Sequence, residues 1–124
     1  MQYTLLVYES PADLAKRSNP ETMSAHTAMW RAYTQALVDA GVVVTGSGLQ
    51  LPRTATTLRL ADGKRLVQDG PFADTKEQLG GFYILDVPDL DTALDWASRC
   101  PIGPDSALEI RPNLQTPANV SEMK

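Results

Sequence analysis

Two predicted strands carry apolar side chains on both faces, and this property constrains the fold more than any other feature of the sequence. Side chains of a strand point alternately to its two faces. A sheet face that is open to water therefore has polar residues at every second position. The apolar residues are Tyr3, Leu5 and Val7 against Leu6 and Tyr8 in the first strand, and Tyr83, Leu85 and Val87 against Phe82 and Ile84 in the second. Both faces of the sheet need a cover.

The hydrophobic periodicity elsewhere predicts two helices and three further strands. The predicted helices are 20–40, capped by Asn19, and 90–99, capped by Asp89; the predicted strands are 3–8, 56–60, 65–69, 81–87 and 107–111. Val42–Gly46 is an additional strand candidate, and residues 9–19 are predicted to form a loop with at most one helical turn. The order βαβββαβ is typical of a ferredoxin-like α+β sandwich with both helices on one face of the sheet. We expect one domain over residues 1–112, followed by a polar tail over 113–124.

Two helices cover only one face of such a sheet, so the second apolar face needs another partner. The simplest partner is the same face of a second copy of the chain. The sequence therefore predicts a homodimer that joins through the sheet face and forms a dimeric α/β barrel.

The composition argues against several classes of function. The net charge is −4 and there is no basic run, which argues against nucleic-acid binding. No apolar stretch approaches the ~20 residues that cross a bilayer, and the first ten residues lack the basic segment of a signal peptide. One histidine and one cysteine cannot form a typical zinc site, and no phosphate-binding loop motif is present. We expect a cytoplasmic protein with no metal and no cofactor.

Residues 68–88 combine a rigid turn, a cluster of charges and a glycine pair next to an apolar strand. Gly70 and Pro71 restrict the turn, and Phe72 is predicted to point back into the core. Lys76 could bind an anionic group. The pair Gly80–Gly81 indicates a bulge or a close approach of the backbone to a partner or a ligand. The segment is either a solvated loop or the rim of a site.

The stretch "DGPFADTKEQLGGFYILDVPDLDTALDWASRCP" resembles the signature of DGPF proteins, a branch of the YCII-related family in the dimeric α/β-barrel superfamily. Three further segments are similar to that family: "MQYTLLVYES", "DAGVVVTGSGLQLP" and "TATTLRLADGKRLVQDGPF". The resemblance implies a bacterial protein and a dimeric barrel. It also implies a frequent genomic association with extracytoplasmic-function sigma factors, and a His–Asp dyad in a cleft beside the first helix.

His26 and Asp69 are the candidates for that dyad. His26 lies on the apolar stripe of the first predicted helix, where it is either a packed neutral side chain or a group that transfers protons near neutral pH. Such a histidine needs an acidic partner to orient its ring, and Asp69 and Asp74 are the candidates. Asp69 either accepts hydrogen bonds from its own turn or presents a positioned carboxylate.

These residues predict a small-molecule enzyme of lyase or hydrolase type, in which His26 and Asp69 are catalytic. The predicted substrate-binding residues are Trp30, Gly70, Pro71, Phe72, Lys76 and Gly81. Trp30 has a second interpretation, as an ordinary core residue. The alternative function is a non-catalytic ligand-binding or accessory protein associated with sigma-factor regulation. A cofactor-free monooxygenase is a third hypothesis, which no specific residue supports.

Overall fold

The computed structural model describes residues 1–73 and 75–115, and its main feature is a four-stranded antiparallel sheet with the order β2-β5-β1-β6. The strands are Gln2–Glu9 (β1), Val43–Gly48 (β2), Thr56–Ala61 (β3), Lys64–Asp69 (β4), Gln78–Asp86 (β5) and Ala107–Pro112 (β6). The helices are Pro11–Ser18 (α1), Met23–Asp39 (α2) and Leu90–Ala97 (α3), and a short 3-10 turn spans Pro52–Thr54. The predicted ferredoxin-like α+β class is confirmed.

One part of the predicted topology is wrong. The strands predicted at 56–60 and 65–69 pair only with each other, from Thr56 opposite Asp69 to Ala61 opposite Lys64, and form a separate hairpin. The edge position beside β5 is taken instead by β2, which the sequence indicated only as a candidate. The hairpin is therefore an insertion between β2 and β5.

The core lies between one face of the four-stranded sheet and the helices α2 and α3. Tyr3 and Leu5 of β1 pack in a single buried cluster with Leu37 of α2 and Ala93 of α3. Burial alternates strictly along β1, as the sequence predicts. Full burial of a leucine such as Leu5 stabilises the fold by roughly 1.5–3 kcal/mol.

The opposite face of the sheet is also apolar. Its half-buried side chains are Leu6, Tyr8, Phe82 and Ile84, which we call the open face. The β3–β4 hairpin adds further exposed apolar side chains, which are Leu58, Leu60, Leu66 and Val67. The predicted two-sided apolar character of β1 and β5 is thus confirmed.

Three local predictions need correction. The segment 9–19 contains a complete helix, α1, because Ser10 caps its start by accepting a hydrogen bond from Asp13 N at 3.2 Å. Asn19 ends α1 and does not cap α2, which begins three residues later than predicted, at Met23. Phe72 is 74% exposed and does not enter the core; the Arg59 guanidinium lies 5.5 Å from the centre of its ring. The cap predicted at Asp89 is confirmed.

A buried carboxylate joins α1 to the segment before β6. Asp13 accepts hydrogen bonds from Gly103 N at 2.8 Å and from the Ser106 hydroxyl, and Lys16 Nζ lies 3.4 Å away. Burial alone would raise the pKa of Asp13, but the hydrogen bonds from Ser106, Gly103 and Lys16 outweigh it and lower the pKa below its usual value. None of the helices in the described ranges is long and apolar enough to cross a membrane.

We expect Asp13→Asn to lower the free energy of unfolding by about 1–3 kcal/mol at pH 7, because charge-assisted hydrogen bonds are lost. A carboxyl whose pKa is lowered by folding stabilises the protein above its unfolded pKa, near 3.8, and this contribution disappears as the pH falls through the folded value. Urea unfolding should therefore show a difference between wild type and variant that shrinks below about pH 4. The exposed Asp95→Asn serves as control, and an equal loss there would contradict the assignment.

Candidate functional site

A cleft of about 460 Å³ lies between α2 and the ends of β1, β2 and β5. Its ionisable acidic and basic side chains are Glu9, Arg17, His26 and Arg31. The large core side chains of β1 stop at Val7, and the neighbouring strand ends carry glycines, with Gly48 paired to Gly81. An added Cβ at Gly48 would meet no atom within 4 Å, so this glycine leaves space open at the end of the sheet.

Glu9 is the central group of the cleft. It belongs to the alternate positions of β1 whose side chains face the core, and its side chain is only 6% exposed. Its Oε1 accepts a hydrogen bond from Arg17 Nη1 at 2.7 Å, and its Oε2 lies 3.9 Å from His26 Nε2. The structure therefore places one buried carboxylate between a permanent cation and the only histidine of the chain.

The Glu9 carboxylate occupies space that a glycine leaves open. The register between β1 and β5 shifts after Val7, which pairs with Gly81, while Tyr8 pairs with Leu79; Gly80 is left as the extra residue of a bulge. A Cβ atom on Gly80 would overlap Glu9 Oε1 and lie 2.6 Å from its carboxyl carbon. The predicted bulge is confirmed, and the group that approaches the backbone there is the Glu9 side chain.

Arg17 connects three parts of the structure around Glu9. It lies in the last turn of α1, pairs with Glu9 through Nη1, and donates a hydrogen bond from Nη2 to the carbonyl of Leu49, just after β2. Removing one partner of a buried ion pair leaves the other charge uncompensated, at a cost of roughly 3–5 kcal/mol when burial is complete. Arg17 thus stabilises the buried Glu9 carboxylate.

Aromatic rings form the wall beside these charges. The His26 and Trp30 rings meet edge to face at 6.4 Å between centroids, and the Trp30 ring is nearly parallel to Tyr83, at 16° and 6.5 Å. The Tyr83 hydroxyl lies 2.6 Å from Thr34 Oγ1. Burial raises the pKa of Tyr83, against a smaller opposite effect of the Thr34 hydrogen bond, so the phenol stays protonated at neutral pH.

Comparisons with known proteins place this architecture in a family. Residues 1–115 match the YCII-related domain. The chain belongs to the YCII-related family. An uncharacterised protein of Rhizobium meliloti (strain 1021) is 39% identical over 100 residues, which is 78% of this YCII-related chain and 77% of that protein.

A solved structure with a similar course of the backbone is 5-chloro-2-hydroxyhydroquinone dehydrochlorinase of Burkholderia phenoliruptrix AC1100, in complex with 2,5-dihydroxybenzoquinone. It has a TM-score of 0.45 and 17% sequence identity, with coverage of 88% of this chain and 91% of the other. Neither similarity says what this chain acts on.

The predicted site residues divide between two regions of this YCII-related protein. His26, Trp30 and Gly81 line the cleft together. The others, all near the end of the hairpin and outside the cleft lining, are Asp69, Gly70, Pro71, Phe72 and Lys76. Two of these, Pro71 and Phe72, line a second depression of about 700 Å³ between the hairpin and Tyr8. A catalytic role for Asp69 stays a prediction, and Asp74 lies outside the described residues.

Sequence reasoning missed Glu9 and Arg17. The signal for Glu9 was present, because it follows Tyr3, Leu5 and Val7 in the core-facing phase of β1, where an unpaired carboxylate would be costly. Arg17 was overlooked because its segment was predicted to be a loop. The pattern from Ser10 to Asp13 is typical of a helix start and could have revealed α1.

Besides the cleft, the cysteine and the arrangement of possible metal ligands bear on the chemistry open to residues 1–73 and 75–115. Burial raises the pKa of the Cys100 thiol to about 11, which keeps it protonated at neutral pH. Within residues 1–73 and 75–115, no three His, Cys, Asp or Glu side chains are grouped so that they could hold a metal ion. The cleft is lined by imidazole, carboxylate, guanidinium and hydroxyl groups.

We expect Gly80→Ala to lower the free energy of unfolding by about 1–3 kcal/mol, because the added methyl group displaces the Glu9 carboxylate. Gly48→Ala is the matched control: it lines the same cleft, but no atom lies within 4 Å of the added Cβ. Chemical denaturation of both variants measures the difference. Equal stability of the two variants would show that Gly80 does not make room for Glu9.

Proposed function

We propose that this YCII-related protein is a small-molecule enzyme of lyase or hydrolase type that moves protons through His26 in the cleft beside α2. The observation that carries the proposal is the buried Glu9 carboxylate, 3.9 Å from His26 Nε2. A carboxylate placed beside a histidine orients the ring and favours its protonated form. The acidic partner proposed for His26 is therefore Glu9 in place of Asp69.

The environment of His26 suits proton transfer to a bound molecule. Its side chain is 11% exposed, so water has limited access to the ring. One ring nitrogen, Nε2, lies 3.9 Å from Glu9 Oε2, and in this proposal the imidazole exchanges a proton with a substrate in the cleft. Arg17 donates a hydrogen bond to Glu9 in its buried position. The imidazole thus acts as the general acid or base, and Glu9 and Arg17 are positioning residues.

The Tyr83–Thr34 hydroxyl pair is a hydrogen-bond donor in the same cleft. The Tyr83 phenol is protonated at neutral pH, so the pair has a proton to donate to an oxygen atom of the substrate. Preorganised donors of this kind stabilise negative charge that develops on an oxygen during a reaction. A proton-transferring histidine and such a donor suit an elimination or a hydrolysis.

NMR titration of the His26 ring tests the coupling between His26 and Glu9. We expect Glu9→Gln to move the ring titration to lower pH, because a negative charge 3.9 Å away is removed. Asp69→Asn should leave the titration unchanged, since Asp69 does not line the cleft. A shift on Asp69→Asn with none on Glu9→Gln would restore the dyad predicted from the sequence.

Turnover tests catalysis separately. A panel of small organic compounds is first screened for binding by chemical shift changes, and the binders are then assayed for conversion by mass spectrometry. His26→Gln should reduce conversion by about 10²–10⁴-fold and leave binding of the same compound within a few-fold. Binding without conversion by the wild type would favour the alternative function, a ligand-binding or accessory protein of the kind proposed for sigma-factor regulation.

We also propose that the protein works as a homodimer joined through the open face. The support is the apolar surface of Leu6, Tyr8, Phe82 and Ile84, a face that a monomer leaves to water at a cost of roughly 25 cal/mol per Å². A second copy buries the same residues by symmetry.

Sedimentation equilibrium at micromolar concentration should give twice the mass of the 13.5 kDa chain. Ile84→Lys should shift the species to a monomer with an unchanged far-ultraviolet spectrum, whereas Ala28→Lys on the exposed surface of α2 should not. A monomeric wild type would refute the dimer directly, whatever the variants do.

A further inference from the structure

The charges that line the cleft do not balance. The Glu9 carboxylate is paired with Arg17, so these two groups cancel. Arg31 also lines the cleft, is exposed, and has no carboxylate within ion-pair distance among the described residues. The cleft therefore carries one excess positive charge with His26 neutral and two with His26 protonated, in a chain whose net charge is −4.

Arg17 and Glu9 are not available to bind a ligand ionically. The Arg17 guanidinium is engaged by Glu9 and by the Leu49 carbonyl. The Glu9 carboxylate is 6% exposed and faces Arg17 and His26. A cationic ligand would consequently find no open carboxylate in the cleft, while an anionic one would find Arg31.

The wall next to Arg31 is flat and aromatic. Trp30 precedes Arg31 in α2, lines the same cleft and is half-buried, and its ring is nearly parallel to that of Tyr83. Aromatic walls of this kind bind planar apolar groups by stacking or by edge contacts. The cleft volume of about 460 Å³ is in the range of pockets for small organic ligands.

We propose that the substrate of this cleft is a small organic monoanion with a planar apolar body, such as an aromatic carboxylate. Arg31 binds its anionic group, and the Trp30–Tyr83 wall packs against its ring within reach of His26. The inference rests on the proposed function for the identity of the site and adds the chemical class of its ligand. Arg31 is then a residue that determines specificity.

Three probes separate the two parts of this recognition. Benzoate carries the ring and the charge, benzamide carries the ring alone, and acetate carries the charge alone. We expect benzoate to bind at least about tenfold more tightly than either partial probe at low salt, because a charge-assisted contact to a guanidinium is added to the ring contact. The Trp30 indole resonance should shift on binding, while that of Trp96, which lies against Arg99 and outside the cleft lining, should not.

Arg31→Gln should reduce the preference for benzoate over benzamide from about tenfold to less than about threefold and leave benzamide binding unchanged. Arg53→Gln, an exposed arginine in the 3-10 turn and outside the cleft lining, is the matched control and should keep the full preference. Isothermal titration calorimetry measures the dissociation constants, and added salt should weaken benzoate more than benzamide.

Benzamide binding as tightly as benzoate, an undiminished preference in Arg31→Gln, or no shift of Trp30 with any probe would each overturn the inference. None of these results touches the His26 titration of the ligand-free protein, which tests the proposed function on its own. Conversely, if Glu9→Gln leaves that titration unchanged but benzoate binds as expected, the proposed acid–base pair fails and the ligand class stands.

Discussion

The buried carboxylate of Glu9 is the constraint on which one end of this molecule depends. It lies in the core-facing phase of β1, so the same alternation that buries Leu5 also removes Glu9 from water. A charge in that position costs several kcal/mol unless it is paired. The fold meets the cost with Arg17 from α1 and with a bulge at Gly80 that makes room for the carboxylate. Helix α1 and the bulge at Gly80 thus both serve to accommodate the Glu9 carboxylate at the edge of the cleft.

The helix-covered face of the sheet holds the apolar core at one end and the polar cleft at the other. The core end stabilises the fold, and the cleft end is the candidate functional site. At one end, Tyr3 and Leu5 pack against α2 and α3 and form the core. At the other end, the paired glycines Gly48 and Gly81 line the cleft together with α2 and with Arg17 of α1. Polar groups that would destabilise a core are tolerated there because they pair with one another, as Glu9 does with Arg17. The cleft exists because the sheet runs on beyond its large side chains.

The sequence predicted the sheet better than the site, and the reason is physical. Alternation and turn residues are local signals, so β1, β5, β6 and the hairpin could all be found from short windows. Membership of a sheet depends on pairing between distant segments, and β2 ends in Gly46, Ser47 and Gly48, which weaken any strand signal. For the same reason, the local Asp-Gly-Pro-Phe motif points to Asp69, while the acidic group beside His26 is Glu9, which no short motif marks.

Glu9 lies closer to Arg17 than to His26, and this difference bears on how a bound anion would affect the protonation of His26. Arg17 Nη1 lies 2.7 Å from one carboxylate oxygen, whereas His26 Nε2 lies 3.9 Å from the other. Electrostatic interaction weakens with distance, so Glu9 acts more strongly on Arg17 than on His26. A bound monoanion at Arg31 would cancel the excess positive charge of the cleft and thereby favour protonation of His26. In that case the substrate itself helps to prepare the acid that acts on it.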